Sequence, residues 1–336
     1  MDVFCCNSRD PICRIFSVRY IRKEEPSVNN ILSVWKSRLA GFRSKNGILW
    51  MFARYMVLFG IGFVFLYPIL YMVVNSLLSP DDLSDPSVFW IPTKLYWGNF
   101  AQAFEALDFF HSLLWSLAMS VVPALLQTAS ASLIAFGLAR FQLPGRRLIF
   151  ILIIATFIIP SQIVSIPKYV LFNNYGMLNT VFPSYLPAVF GQGLRSAVFI
   201  LVFYQFFSSY PTSFDEAAEL DGAGKAKIFF KISMPMASTA VVLSLLLSFV
   251  WYWNETTEAN MMFGAVIKTL PLQLANFTAR YEAIYGAADQ TSTVNRLNES
   301  VSLAGTLLSI LTLLIMYICL QRQFIESIER TGLTGE

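Results

Sequence analysis

The chain has 336 residues, of which 56% are apolar and only 13% are charged, and its formal net charge is +3. Soluble proteins carry about one-quarter charged residues, so this composition excludes an ordinary soluble domain and indicates a membrane protein. The small net charge gives no support to nucleic acid binding.

The N-terminal segment is polar and basic and precedes the first apolar run. A secretory signal peptide would have its apolar run near the start, so we expect residues 1–50 to be a cytoplasmic N-terminal extension. Apolar and basic side chains alternate between Ile31 and Arg43, which fits an amphipathic helix lying in the membrane interface. A solvated tail fits residues 1–30 equally well.

Cysteine usage gives no indication of a metal centre. The cysteines lack zinc-site spacing, and the only histidine, His111, lies far from them in sequence. We therefore expect no metal site, and reduced thiols at Cys5, Cys6, Cys13 and Cys319.

Six apolar segments approach the length of about 20 residues that a helix needs to cross a bilayer. They are residues 55–80, 112–139, 148–167, 185–207, 236–254 and 301–320, and Arg195 interrupts the fourth. The sequence thus predicts an all-α polytopic membrane protein with about six spans. We expect a transmembrane domain over residues 51–325 and a cytoplasmic tail over residues 326–336.

Charge asymmetry predicts the orientation of these spans, because loops rich in Lys and Arg stay on the cytoplasmic side. The N-terminal extension, the loop after the second span and the stretch 225–231 are rich in basic residues. The loop 76–111 is acidic, with Lys94 as its only lysine or arginine. We therefore expect both termini and the loop 211–235 to lie in the cytoplasm, and the loop 76–111 outside.

The loop 211–235 is a short charged segment between the fourth and fifth spans. Ser213 followed three residues later by Glu216 is typical of a capping box, in which each side chain satisfies a free helix amide. Gly222 is a natural C-terminal stop, because glycine adopts positive φ without a Cβ clash. The predicted helix, residues 214–221, is too short to be stable alone, so we expect it to dock on another surface. On charge alone, a simple connector helix explains the segment equally well.

The composition of this helix favours docking. Ala217 and Ala218 leave one face slim enough for close approach, and Leu220 adds an apolar anchor. Further apolar residues in the stretch 228–234 form a second patch, which ends at Pro235 where the next span begins.

One motif in the loop resembles part of a phosphate-binding loop. Residues 222–225 read Gly-Ala-Gly-Lys, but the full pattern needs a glycine and a hydroxyl where Glu219 and Ala226 stand. We therefore expect no ATP or other cofactor on this chain, and conclude that the energy for its function comes from another subunit.

The complete spacing in the loop is Glu216-Ala-Ala, three residues, Gly222, nine residues, Ile232, two residues and Pro235. It resembles the signature of ATP-binding-cassette (ABC) importer permeases, and the resemblance extends over about residues 55–335. Further stretches look like carbohydrate importer permeases of the maltose-transporter type. They are residues 193–196, 205–207, 249–254, 321–324 and 328–332.

This resemblance implies a type I importer permease whose loop 211–235 forms a coupling helix on a cytoplasmic ATPase. It implies these partners: a second homologous permease in a heterodimer, two ATPases that bind ATP and magnesium, and an external solute-binding protein. The chain itself is then a transport subunit for a sugar or oligosaccharide and not an enzyme. The implied coupling residues are Glu216, Ala217, Ala218, Leu220, Asp221, Gly222 and Pro235.

The end of the fifth span offers candidates for the solute path. Indole faces stack on pyranose rings and carboxylates or amides bond hydroxyls, which selects Trp251, Trp253, Asn254 and Glu255. An aromatic belt at the outer interface is the alternative for the tryptophans. Arg195 is a further candidate, because charges inside a membrane are costly. It alternatively snorkels outward or pairs with Glu255 or Glu258.

Three alternatives stay open at this point. A permease for a non-sugar solute would share the signature loop. A membrane-embedded enzyme with Glu255 and Glu258 as acid and base is a distant alternative. Small residues between Thr128 and Ala135 pack closely, either in the core of this subunit or against its partner permease.

Overall fold

The computed structural model describes residues 48–88, 90–264, 266–285 and 298–333, and every regular element in those ranges is a helix. The expected all-α fold is thus confirmed. The chain divides into two units, residues 1–69 and 70–336. The predictions for residues 1–47, which include the amphipathic helix and three of the cysteines, lie outside the described residues.

The first helix, α1 (Ile48–Ser76), begins in the first unit and ends in the second, so the domain boundary expected at residue 50 falls inside it. At its end, the buried amide of Asn99 donates to the carbonyls of Ser76 (2.9 Å) and Leu78 (2.8 Å). This side chain satisfies backbone groups that the end of a helix leaves free.

Two short helices, α2 (Pro80–Ser84) and α3 (Gly98–Ala106), lie in the acidic loop that follows. The helices after them are α4 (Phe109–Arg140), α5 (Arg146–Ile158), α6 (Ser161–Asn174), α7 (Phe182–Val189), α8 (Ser196–Ser209), α9 (Ser213–Leu220), α10 (Lys225–Ile228), α11 (Met234–Met236), α12 (Ser238–Asn254), α13 (Thr257–Phe263), α14 (Leu270–Ala275), α15 (Phe277–Tyr285) and α16 (Glu299–Leu333). A π-helical turn, Phe229–Ser233, joins α10 to α11.

Helix α4 is the centre of the second unit and packs against α7, α8 and α12. The hydroxyls of Thr128 and Ser244 lie 3.1 Å apart where α4 meets α12, so the two backbones approach closely. The small residues that α4 buries include Thr128, Ser130, Ala131, Ser132 and Ala135. They pack the core of this subunit, which decides between the two alternatives that the sequence left open.

Two of the expected spans are not continuous helices. Helices α5 and α6 meet at 98° within the expected span 148–167. Pro160 has no amide N–H and disfavours a helical conformation at Ile159, which is extended (φ −70°, ψ 122°). The expected span 185–207 is divided into α7 and α8, because residues 190–195 are not helical.

The other expected spans are confirmed as helices. Helix α12 ends at Asn254, as predicted, and α16 contains the expected span 301–320. The expected start of the tail, residue 326, lies inside α16. Within the described residues, three helices are long and apolar enough to cross a membrane, and up to six spans result if each bent helix pair is one span. The predicted count of about six corresponds to the higher figure.

Candidate functional site

Helix α9 forms where the sequence predicts the short helix, one residue earlier at each end than expected. The capping box predicted at its start is absent, so this prediction was wrong. The N-cap is Thr212, whose backbone is already helical (φ −64°, ψ −22°) and whose side chain makes no capping hydrogen bond. A side-chain hydroxyl caps a helix when the N-cap residue has an extended backbone, because only then does it reach the first free amides. The backbone of Thr212 is helical, so the cap does not form.

The end of α9 agrees with the prediction. Gly222 has a φ of +80°, its N–H donates to the Glu219 carbonyl (3.0 Å), and the Ala223 N–H donates to the Ala218 carbonyl (2.9 Å). This pair of bonds is a Schellman motif, in which a residue of positive φ satisfies the last free carbonyls of a helix. Gly222 therefore ends the helix as expected.

A buried polar cluster fixes α9 to the rest of the chain. The Tyr210 hydroxyl donates to Asp215 Oδ1 (2.8 Å), and Arg140 Nε lies 3.4 Å from Asp215 Oδ2. The Tyr210 hydroxyl also shares a 2.8 Å hydrogen bond with the Ser233 hydroxyl. Arg140 is the last residue of α4, so this anchor cluster (Arg140, Tyr210, Asp215 and Ser233) ties α9 to the central helix.

The guanidinium of Arg140 is held by more than the ion pair. Its Nη2 donates to the Tyr210 carbonyl (2.8 Å), and its central carbon lies 3.7 Å from the Tyr210 ring centroid. Removal of one partner of a buried ion pair costs about 3–5 kcal/mol, because the other charge is left without compensation. No local pattern in the sequence connects Arg140 to the loop, so this ion pair was not predicted.

The most apolar position on the outer face of α9 is open to the surroundings. Leu220 is 91% exposed, and Glu216 and Ala217 are also exposed. Ala218 is half-buried against the chain's own core, so the two alanines do not form one slim outer face.

The second apolar patch predicted after Gly222 is divided between core and surface. Ile228 and Phe229 are buried, and the Phe229 ring lies 5.1 Å from that of Phe136 in α4. Phe230 is 66% exposed, and Pro235 is exposed at the start of α11. The exposed apolar surface of the loop therefore comprises fewer of these residues than expected.

A second polar network holds the break between α7 and α8. Gln127 Nε2 donates to the Leu194 carbonyl (2.8 Å), the Leu194 N–H donates to the Tyr252 hydroxyl (3.1 Å), and that hydroxyl donates to Gln127 Oε1 (2.8 Å). A Cβ on Gly193 would collide with both side chains, so only glycine fits there. The backbone N–H and carbonyl of Leu194, at the break, are thereby satisfied, as a membrane protein requires.

Arg195 lies at the end of the non-helical segment that interrupts the expected span 185–207. Arg195 is the N-cap of α8 with a φ of +51°, and its guanidinium carbon lies 4.9 Å from the Trp251 ring centroid. The tertiary structure thus brings together two of the candidate path residues. The expected alternative partner Glu258 pairs instead with Lys168, at 2.8 Å.

The other candidate path residues make contacts of their own. Trp253 is 3% exposed and packs against Phe249 in the core of the chain, with ring centroids 5.7 Å apart. The exposed Asn254 donates to the Val250 carbonyl (2.8 Å). Glu255 is half-buried and accepts from the N–H of Glu258 (2.9 Å) at the start of α13.

Glu255 lines a small cavity of about 40 Å³ together with the Lys168–Glu258 pair and the Tyr252 ring. The remaining lining is largely apolar and includes Met119, Met262 and Phe263. Ligand pockets usually measure about 300–1,000 Å³, so the cavity admits only water in this conformation. The sequence did not mark Lys168 as a site residue. It directly follows the expected span 148–167, and a lysine is ordinary at the end of a membrane span.

These features define an all-α membrane transport subunit with broken spans and an anchored short helix. The family described as "Binding-protein-dependent transport system inner membrane component" matches residues 128–326, and the chain belongs to it. The predicted membership of the importer permeases is thereby confirmed. The protein is a permease subunit located in the inner membrane.

Two curated relatives cover most of the chain. One is the osmoprotective compounds uptake permease protein of Synechocystis, 28% identical over 80% of this chain and 87% of the relative. Another is the diacetylchitobiose uptake system permease protein of Streptomyces coelicolor, 27% identical over 80% of this chain and 84% of the relative.

A solved structure has the same fold. It belongs to a bacterial ABC transporter involved in the import of the acidic polysaccharide alginate, and the TM-score is 0.68. The likeness covers 84% of this chain and 99% of that chain, at 23% sequence identity. At this identity it shows the permease fold alone.

Proposed function

We propose that this importer permease moves a sugar or oligosaccharide and receives the work of a separate cytoplasmic ATPase through the loop 211–235. The observation that carries the proposal is the construction of α9. Its inner face is fixed by the anchor cluster, whereas Leu220 on its outer face is 91% exposed. A helix of two turns is marginal alone, so the anchor is what makes it rigid enough to transmit force.

The chemistry of the outer face supports a protein partner. Glu216 offers a carboxylate and Leu220 an apolar side chain. The small side chain of Ala217 allows a partner surface to approach closely. Interfaces combine such an apolar contact with a charged or polar rim. The expected coupling residues Asp221 and Gly222 are exposed at the end of the same helix.

Charge distribution supports a cytoplasmic position for α9. Arg146 and Arg147 start α5, Lys225 and Lys227 lie in α10, and basic residues favour the cytoplasmic side. On this orientation both termini are cytoplasmic. The complex then contains a second homologous permease, two ATPases that hold ATP and magnesium, and an extracytoplasmic binding protein.

The proposed solute class rests on the relatives and on the path residues. A relative named for diacetylchitobiose uptake favours an oligosaccharide. The Trp251 indole, with the Arg195 guanidinium nearby, offers the stacking and hydrogen-bonding groups that sugars need. Because the cavity beside Lys168 and Glu258 is so small, passage along it requires this ion pair to open.

The test is transport by the complete complex in proteoliposomes with its own binding protein. We expect ATP-dependent accumulation of a labelled oligosaccharide and none of an amino acid or phosphate. Accumulation of the amino acid alone would remove the sugar assignment. Uptake by the permease without any ATPase would remove the coupling role.

A further inference from the structure

The anchor cluster connects two helices that could otherwise move independently. At its N-terminal side α9 follows Tyr210, whose backbone is extended (φ −78°, ψ 147°), and the angle between α8 and α9 is 73°. At its C-terminal side the chain turns at Gly222 with positive φ. Neither flanking segment continues the helix, so side-chain contacts must set the position of α9.

Arg140 makes the contacts that reach α9 from the central helix. Its ion pair with Asp215 is nearly dry, with side-chain exposures of 8% and 12%. Its Nη2 also bonds the Tyr210 carbonyl, at the hinge between α8 and α9. A guanidinium suits this position because its planar fork can bond two groups while its face stacks on an aromatic ring.

Helix α4 is well placed to receive a displacement from α9. It is embedded in the core over its second half, where Ala131, Ala135 and Phe136 are buried. It also carries Gln127, which holds the backbone next to Arg195. Gln127 lies about 20 Å from Arg140 along the helix, at 1.5 Å per residue.

We propose that Arg140 is the positioning residue that makes α9 and α4 move as one body. Displacement of α9 by the ATPase is then passed to α4, and through Gln127 to the break that carries Arg195. Without Arg140, α9 would swivel at Tyr210 and Gly222 and the displacement would be lost. This inference rests on the proposed docking of α9 on an ATPase.

The experiment compares Arg140→Met and Asp215→Asn in the complete complex, with Arg147→Met as the matched control. Arg147 is exposed and starts α5, so its replacement removes the same charge without touching the anchor cluster. Three quantities are measured: solute uptake per ATP hydrolysed, KM for the solute, and the amount of assembled complex.

We expect Arg140→Met to assemble and hydrolyse ATP but to lower uptake per ATP at least tenfold, with KM for the solute unchanged. Asp215→Asn should lower it at least threefold. The double variant should be no worse than Arg140→Met, because both changes break one link. A merely structural role would lower the amount of complex and leave uptake per ATP unchanged.

Normal uptake per ATP in Arg140→Met would overturn the inference. If Arg140→Met does not assemble, the isosteric Asp215→Asn decides: reduced uptake per ATP supports the inference and unaltered uptake per ATP overturns it. Glu216→Lys separates this inference from the proposed function. If Glu216→Lys uncouples transport and Arg140→Met does not, only the role of Arg140 fails. If both are normal, the docking of α9 fails as well.

Discussion

Two ion pairs in the second unit have the same charges and opposite constructions. Arg140 and Asp215 are almost fully buried, with side-chain exposures of 8% and 12%, and the guanidinium contacts the Tyr210 ring and carbonyl as well. Lys168 and Glu258 are 24% and 19% exposed and join at one contact, 2.8 Å long, beside a cavity. An ammonium is a compact, strongly hydrated point charge on a flexible stem, whereas a guanidinium forks and stacks.

The difference indicates different tasks. A buried pair with several additional bonds is costly to break, because each charge would stay in an apolar surrounding. The Lys168–Glu258 pair is more exposed and has a single contact beside a cavity, so it separates at lower cost than the Arg140–Asp215 pair. We therefore expect the Arg140–Asp215 pair to persist through the transport cycle and the Lys168–Glu258 pair to open when solute passes.

The largest expected effect comes from locking the two pairs in turn. In a background with the native cysteines replaced by serine, cysteines at 168 and 258 joined by a short bis-maleimide should abolish uptake. Cysteines at 140 and 215 remove the Arg140–Asp215 ion pair. Joining them with the same crosslinker should raise uptake per ATP above that of the uncrosslinked variant, because the crosslink again connects α4 to α9. Full uptake with 168 and 258 joined would contradict the difference between the pairs.

Glu216→Lys should reduce ATP-dependent uptake to background while the amount of permease in the membrane stays normal. The change reverses a charge on the outer face of α9 and leaves the anchor cluster intact. The measurement is uptake by whole cells together with an immunoblot of the membrane fraction. Unchanged uptake would show that the anchored helix is not the docking element.

Lys168→Met should lower uptake about tenfold, because the Glu258 carboxylate then lacks its partner beside a largely apolar cavity. The double variant Lys168→Met with Glu258→Gln should recover most of the loss, since no unpaired charge remains. Lys94→Met, an exposed change in the acidic loop, is the control. A double variant as inactive as Lys168→Met would indicate that the charges themselves contact the solute.

The smallest expected effect distinguishes two glycines of the same loop. A Cβ would meet nothing within 4 Å at either Gly222 or Gly224, but only Gly222 has positive φ. Gly222→Ala should therefore destabilise the end of α9 by about 1–2 kcal/mol. We expect a few-fold loss of uptake for Gly222→Ala and none for Gly224→Ala. Equal effects would mean that the left-handed turn is unimportant for coupling.

Features that depend on neighbours in sequence were predicted well. The apolar segments indicated the helices, and Gly222 indicated the end of α9, because hydropathy and backbone φ preferences act locally. The predicted capping box does not form although Ser213 and Glu216 have the right spacing. The N-cap is Thr212, whose backbone is already helical. The breaks at Pro160 and at residues 190–195 lie inside long apolar segments, whose hydropathy does not show where a helix ends.

Features that depend on distant residues could not be predicted. The sequence by itself determined a helical membrane permease with a short helix in its charged loop, because composition and the spacing from Glu216 to Pro235 are properties of the chain alone. Only the tertiary structure decided which charges pair. Lys168 and Glu258 are 90 residues apart, and Arg140 reaches Asp215 from another helix. A charge that packing buries needs a partner to offset its lost hydration, and no local pattern records which residues packing will bring together.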